Sequence, residues 1–572
     1  MLDADPTKPD IDGWLGHRVR AASASASASP SPAASDLGLG LAHPQPHPSP
    51  WFLLAVGRMR RSGALAAAAV APRSALLAAL APRRLPRRLC SAALQAHHSF
   101  YIDGEWVPPV NGVVPHQVIN PATEQPIATI ALGSPADVDA AVRAAQRALP
   151  SWSATSREER LVMLEQLAAI YAERQGEVAQ AISAEMGAPI RLATRAQAAA
   201  GLAHLRQFVR VLRGFEFEQP LRAGELLTHE PIGVCALIAP WNWPMNQVSL
   251  KVAPALAAGC TALLKPSEEA PLSSLLFAEM VHQAGFPPGV FNLVQGEGAV
   301  VGEAMAAHPA VDLVSFTGSA RGGRAVTRAA AEGVKRVVLE LGGKGPNLVF
   351  ADLGADLATA VRRGVRHCFQ NSGQSCNAPT RMLVERSVYA EAEAVARAEA
   401  EAQAVADPAR PGTHIGPLAS AAQWHKVQGL IAEGVASGAR LVSGGLGRPD
   451  GLGRGYYARP TLFADVPPHA AIWREEIFGP VLCLAPFDSE AEAIALANDS
   501  AYGLTSYVQT ADAARARRVS RALRAGMVEV NGKACSAGAP FGGVKQSGNG
   551  REGGEMGLRE FLEAKTIAGW PS

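Results

Sequence analysis

A chain of 572 residues exceeds what one hydrophobic core normally fills, so two or more domains are expected. An apolar fraction of 48% fits a globular protein, and a net charge of +2 gives no case for nucleic acid binding. Seven cysteines stand singly at Cys90, Cys235, Cys260, Cys368, Cys376, Cys483 and Cys535, with no zinc spacing among them. Neither a disulfide scaffold nor a metal site is indicated, and a reducing compartment is the simpler inference.

The charge is uneven. Residues 1–90 carry 11 Lys+Arg against 5 Asp, and the remainder 42 Lys+Arg against 46 Asp+Glu. The stretch "AASASASASPSPAAS" cannot build a core and is expected to be disordered. From Leu37 to Ile102 there is no acidic residue but there are eight arginines. The run beginning at Met59, "MRRSGALAAAAVAPRSALLAALAPRRLPRRLCSAALQA", has the composition of a mitochondrial transit peptide, with a chloroplast address its nearest competitor. Arg88 precedes Ser91 at a spacing that fits processing there, and Met59 competes with Met1 as the natural start. Pro72 and Arg73 break the apolar run, so it does not read as a membrane span.

The body opens with "FYIDGEWVPP", an extended pattern with a turn at Asp103–Gly104. In "SPADVDAAVRAAQRAL", Ser134 caps a helix, Pro135 occupies its first turn, and Val138, Ala141, Val142 and Ala145 recur at helical spacing. From Ile232 short apolar runs alternate with helix patterns, which predicts a parallel sheet covered by helices.

Several strand ends along this half carry chemistry. "IAPWNWPMNQ" makes a shaped turn in which Pro240 and Pro244 forbid ladder pairing and Asn242 offers an amide to a developing oxyanion. "TALLKPSEEAP" delivers Lys265 and Glu268 at the carboxyl end of a strand, where α/β sheets bind ligands. Both can hold ribose hydroxyls, and a carboxylate there repels a 2′-phosphate, which favours NAD over NADP. "VSFTGSARGGRAV" reads as strand, turn and helix, with Gly318 in the turn and Ser319 capping a helix able to receive phosphate; Gly318-x4-Gly323 is neither GxGxxG nor a P-loop. "VLELGGKGPNLVF" ends a strand with Glu340, a candidate base with a raised pKa, followed by Gly342 and Gly343. "HCFQNSGQSCNAPTR" places Cys376 among small polar residues, the setting of an accessible nucleophile more than of a packed thiol. "REEIFGPVL" supplies Glu476 for a second ribose and Phe478 for a nicotinamide ring. The 14 histidines are scattered, so a Cys–His hydrolase lacks its partner.

"PWNWP", "KPSE", "FTGS", "LELGGK", "GQSC", "EEIFGPV" and "PFGGVKQSGNGREGG" occur in that order. With them the chain resembles the NAD(P)-dependent aldehyde dehydrogenase superfamily from about Phe100 to Trp570. The resemblance implies that Cys376 is the nucleophile, Glu340 the general base, Asn242 and the Cys376 N–H the oxyanion donors, and Lys251 part of a proton relay. It implies adenosine-ribose contacts from Lys265 and Glu268, and pyrophosphate contacts from Ser319 and Trp241. It puts Glu476 and Phe478 at the nicotinamide ribose and ring, Gln423 at a further ribose contact, and Ile238, Pro240, Phe316, Gly318 and Leu341 at the cofactor. The implied architecture is α/β: a five-stranded Rossmann-like cofactor domain, an α/β catalytic domain and a small β oligomerisation element.

The corresponding expectation is a disordered 1–90 extension holding the transit peptide, an NAD-binding domain at 98–216 and 235–341, an oligomerisation element at 217–234 and 555–570, and a catalytic domain at 342–554. Expected partners are a small-molecule aldehyde and copies of the chain in a homotetramer or homodimer, with no nucleic acid and no membrane. The expected location is the mitochondrial matrix, with chloroplast and cytoplasm as alternatives. Leu250 and Trp243 shape the pocket entrance differently from family members with an aromatic at the former, and Ala534, Cys535 and Ser536 are small where others place bulky residues, which points to an aromatic or branched aldehyde. The competing readings are a CoA-acylating dehydrogenase, which Glu340 opposes, a non-catalytic structural protein, and a thiol esterase.

Overall fold

The computed structural model describes residues 95–222 and 224–571. The 1–90 extension, its transit peptide, Ser91 and Met59 lie outside the described residues. No described helix is long and apolar enough to cross a membrane.

The body begins as its alternating sequence requires. Strands Phe100–Ile102 and Glu105–Val107 pair antiparallel across a turn in which Asp103 and Gly104 take φ of 56° and 82°. The helix Pro135–Ser153 starts at Ser134, whose N–H and hydroxyl both donate to Asp137 Oδ2, and it buries Val138, Ala141, Val142 and Ala145. The 30-residue helix Arg157–Met186 opens on a reciprocal bond pair between Ser156 and Glu159 and ends at Gly187, φ 80°.

Five parallel strands form the middle of the first sheet: Val234–Ile238, Thr261–Lys265, Phe291–Leu293, Leu313–Thr317 and Arg336–Glu340. Their spatial order is third, second, first, fourth, fifth, the doubly wound arrangement. Alternate residues serve opposite faces. Cys235, Leu237 and Leu264 pack into one core, while Val234, Ala236, Ile238 and Leu263 pack into the other. Burial on both faces explains why these strands read as continuous apolar runs. Beyond the expected five, Phe100–Ile102 and Glu105–Val107 extend one side and Gly548–Asn549 the other, each antiparallel to its neighbour.

A second, seven-stranded sheet has Pro346–Val349 and Arg381–Glu385 at its middle. All its pairings are parallel except that of the edge strand Arg440–Ser443. The same alternation holds: Leu348, Leu383 and Cys483 face one core, and Val349, Met382, Val384 and Leu482 the other. A third sheet joins Glu218–Arg222, Glu225–Pro231 and Leu562–Ala568, all antiparallel. A three-stranded sheet of Gln95–His97, Pro115–Asn120 and Gln125–Ala131 completes the set.

Candidate active site

The strand order of the first sheet reverses between Val234–Ile238 and Leu313–Thr317, and such a reversal opens a crevice at the carboxyl ends. The predicted cofactor residues stand at these ends. Ile238, Pro240 and Trp241 end or follow the first strand, Lys265 ends the second, and Phe316, Gly318 and Ser319 end or follow the fourth. Lys265 is buried; its Nζ lies 3.2 Å from Glu268 Oε2 and donates to the Pro266 carbonyl at 2.7 Å. Burial lowers its pKa, and Glu268 opposes the shift. Ser319 accepts from Gly322 N–H at 3.1 Å and so caps the helix Ala320–Ala331. That helix lies tight on Leu341, whose Cδ1 would stand 2.7 Å from any Cβ on Gly323. Paired ribose-type donors, a capped helix start beside a glycine turn, and a second carboxylate with a ring at Glu476 and Phe478 form a donor set that fits a dinucleotide without a 2′-phosphate.

The second sheet meets these ends with its amino-terminal side. Cys376 lies just before Arg381–Glu385, and Glu476 and Phe478 just before Val481–Phe487. The link between the sheets is the glycine run after Glu340. A Cβ on Gly343 would fall 2.2 Å from the Cys376 carbonyl, and one on Gly342 2.3 Å from Glu476 Oε2. Glycine is required at both places because backbone and carboxylate already fill the space. Gly343 N–H donates to Glu476 Oε1 at 2.9 Å.

The cysteine loop is held rigidly. Asn371 and Ser372 take φ of 55° and 58°, and Gly373 follows at 74°. Asn371 Nδ2 donates to the Asn242 carbonyl at 3.0 Å and to the Gln374 carbonyl at 3.2 Å, while Asn371 Oδ1 accepts from Gln197 Nε2 at 2.8 Å. Asn242 Nδ2 in turn donates to the Gln374 carbonyl at 3.1 Å, and Trp243 Nε1 donates to Ser375 Oγ at 2.8 Å. The Tyr507 hydroxyl donates to the Asn377 carbonyl. The Asn242 turn and the Cys376 loop are therefore one bonded unit. The thiol itself is half-buried. Burial pushes its pKa up, followed by the charges of Glu476 and Glu340, against a pull from the Cys376 and Asn377 N–H groups.

Glu340 is 2% exposed, and neither carboxylate oxygen has a hydrogen-bond partner among the described residues. Burial, then Glu552, drives its pKa well above the carboxylate range, while Lys251 and Arg551 oppose the shift. Lys251, fully buried, donates to Glu552 Oε1 at 2.6 Å and to Ser315 Oγ at 3.0 Å. Glu552 is a member of this cluster that sequence reasoning missed. It sits inside "PFGGVKQSGNGREGG", and nothing local marks it as the lysine's partner 301 residues away.

Trp241 and Phe478 meet edge to face with ring centroids 5.5 Å apart, and Phe478 takes a φ of 60°. Gln423 donates to the Phe478 carbonyl at 2.8 Å, so its amide N–H holds the Phe478 loop. Leu250 is buried, whereas Ala534, Cys535 and Ser536 are exposed. A half-buried thiol near a desolvated carboxylate that has no hydrogen-bond partner among the described residues can add to a carbonyl, and the carboxylate can then activate water.

The aldehyde dehydrogenase family model matches residues 106–567. A 3-succinoylsemialdehyde-pyridine dehydrogenase of Pseudomonas sp is 54% identical over 478 residues, covering 83% of this chain and 99% of the relative. The crystal structure of an aldehyde dehydrogenase from Bartonella henselae superposes with a TM-score of 0.82 at 52% identity, over 83% of this chain and 100% of that one. An aldehyde dehydrogenase C variant from Pseudomonas syringae, in complex with NAD+ and octanal, does so with a TM-score of 0.82 at 50% identity, over 85% and 99%. The chain belongs to the aldehyde dehydrogenase family. It is an oxidoreductase acting on aldehydes.

Proposed function

We propose that the protein oxidises an aldehyde to a carboxylic acid with NAD, through a covalent bond to Cys376. The observation that carries this is the contact of the Cys376 backbone with the glycine run that begins two residues after Glu340, buried and without a hydrogen-bond partner among the described residues. The Cys376 thiol releases its proton to water, its Sγ adds to the aldehyde carbon, and the Asn242 amide and the Cys376 N–H receive the oxyanion. Removing one such donor costs roughly 10²–10³ in rate. Lys265 and Glu268 hold the adenosine ribose, and Trp241, Ser319 and Gly318 the pyrophosphate. Glu476 and Phe478 hold the nicotinamide end, and Ile238, Pro240, Phe316, Leu341 and Gln423 line or brace the cleft. The cofactor supplies a hydride acceptor. Loss of that hydride leaves a thioester on Cys376, which Glu340 opens by taking a proton from water; Lys251 and Glu552 carry that proton onward.

A water-activating base favours hydrolysis over acyl transfer to CoA. Support for NAD comes from Glu268 and from the neighbour that holds NAD+. The Pseudomonas relative is named for a pyridine-bearing aldehyde and the P. syringae neighbour holds octanal; the small residues at Ala534–Ser536 support an aldehyde with a bulky aromatic or branched tail. We assign the cofactor domain to 98–216 and 235–341, the catalytic domain to 342–554, and an assembly element making a homodimer or homotetramer to 217–234 and 555–570. The organellar address rests on the composition of residues 1–90 alone. The relatives named above are bacterial and lend it nothing, and a cytoplasmic location is compatible with them. The test is NADH formation from a panel of aldehydes with NAD or NADP, with Cys376→Ser beside the wild type. Turnover that survives the substitution contradicts the assignment.

A further inference from the structure

A cavity of about 1040 Å³ has Gln370, Asn371 and Asn377 of the cysteine loop in its wall. Asn377 is the residue after the nucleophile, and Asn371 is bonded to the Asn242 turn. Arg191, Arg195 and Arg363 also line this cavity. None of the three has a carboxylate within ion-pair range among the described residues.

The bonds these arginines do make are neutral. Arg363 is half-buried and donates to Oε1 of the buried Gln509 at 2.5 Å; Arg191, exposed, donates to Thr413 Oγ1 at 2.8 Å. The fourth lining arginine, Arg366, is engaged by Glu399, with bonds of 2.6 and 3.2 Å. That leaves Glu529 as the acid in the wall with no ion pair among the described residues; burial raises its pKa, against a bond from the Cys535 N–H. His367 is pushed toward neutrality by burial. A wall with three unneutralised guanidinium groups and buried amides is complementary to an anion, and arginine forks match a carboxylate in particular.

We propose that this cavity receives the far end of the substrate, and that the end it selects is a carboxylate: the preferred substrate is an aldehyde that also carries a remote acid group. The inference rests on the assignment of Cys376 as the nucleophile. Arg363 is the anchor within the wall, and Arg191 and Arg195 draw the anion in from solvent. Charge-assisted bonds of this kind are worth about ten- to a hundredfold in binding.

The test compares 4-formylbenzoate with its methyl ester. The ester is the more electron-poor aldehyde, so intrinsic reactivity works against the expected order. The wild type is expected to favour the acid by about tenfold or more in kcat/KM, through KM, with the advantage shrinking as salt is added. Arg363→Gln and Arg195→Gln are each expected to move the acid-to-ester ratio toward one while kcat for the acid is kept. Terephthalate, the product, is expected to bind the wild type by calorimetry and to bind Arg363→Gln more weakly. An acid-to-ester ratio at or below one in the wild type, or a ratio untouched by both substitutions, overturns the inference. Absence of NADH from every aldehyde sinks the Cys376 assignment, and the inference with it.

Discussion

Glu340 is pulled in opposite directions by its surroundings. Burial and Glu552 favour the neutral acid, and Lys251 and Arg551 favour the carboxylate. As the proposed base, Glu340 must be ionised to take a proton from water. Activity is therefore expected to rise with pH through the elevated pKa and to fall away below it. Glu340→Gln is expected to lose about 10²–10⁴ in steady-state rate and to flatten that limb of the pH profile, while a first-turnover burst of NADH persists. A lost burst would place Glu340 in the first chemical stage instead. Glu268 invites a second substitution. Removing its charge in Glu268→Gln is expected to raise kcat/KM for NADP roughly tenfold, about 1.4 kcal/mol, and to weaken NAD; unchanged selectivity would separate Glu268 from the ribose. At this scale the sequence exposes the proposed nucleophile, amide and base, because each sits in a short motif that folds locally. It does not expose Glu552, whose pairing with Lys251 is made only when the carboxyl-terminal glycine-rich segment joins the edge of the first sheet.

The helix Leu272–Gln283 begins without a side-chain cap of its own. Glu185, from the end of the helix Arg157–Met186, fills the role: Leu272 and Ser273 N–H groups donate to its two oxygens at 2.5 and 3.1 Å. Burial nonetheless wins over these bonds and raises its pKa from 4.5 to about 7. The native state thus holds a proton more tightly than the unfolded chain between those values. Stability is expected to fall by about 3 kcal/mol as pH rises from 4.5 to about 7, and to level off above. Glu185→Gln is expected to remove this part of the slope in urea midpoints measured from pH 5 to 8. An identical slope in both proteins would assign it to other groups. The capped helices at Ser134 and Ser319 are legible because cap and helix are neighbours in the chain. A cap supplied across 87 residues leaves no such pattern.

Taken whole, the molecule sets the carboxyl ends of one sheet against the amino ends of another, joined by Leu341–Gly345. The alternation of apolar runs with helices makes both sheets legible, and the order of the five parallel strands follows from the doubly wound rule. The antiparallel additions, Gly548–Asn549 above all, escape it: two residues with no apolar pattern become a strand only through pairing with Leu339 and Glu340. The third sheet presents Leu562–Ala568 with most side chains exposed. An uncovered strand of this kind calls for a partner. The protein is expected to run as a dimer or tetramer by light scattering, and removal of residues 562–572 to yield a smaller species; an unchanged mass would remove this sheet from the assembly.

The most direct measurement is mass spectrometry of Glu340→Gln quenched during turnover with NAD and an aldehyde. The peptide holding Cys376 is predicted to gain the mass of the aldehyde less two hydrogens, the signature of an acyl group on sulfur. An unmodified Cys376 alongside continuing NADH formation, or an acyl group on another residue, would contradict covalent catalysis at this thiol.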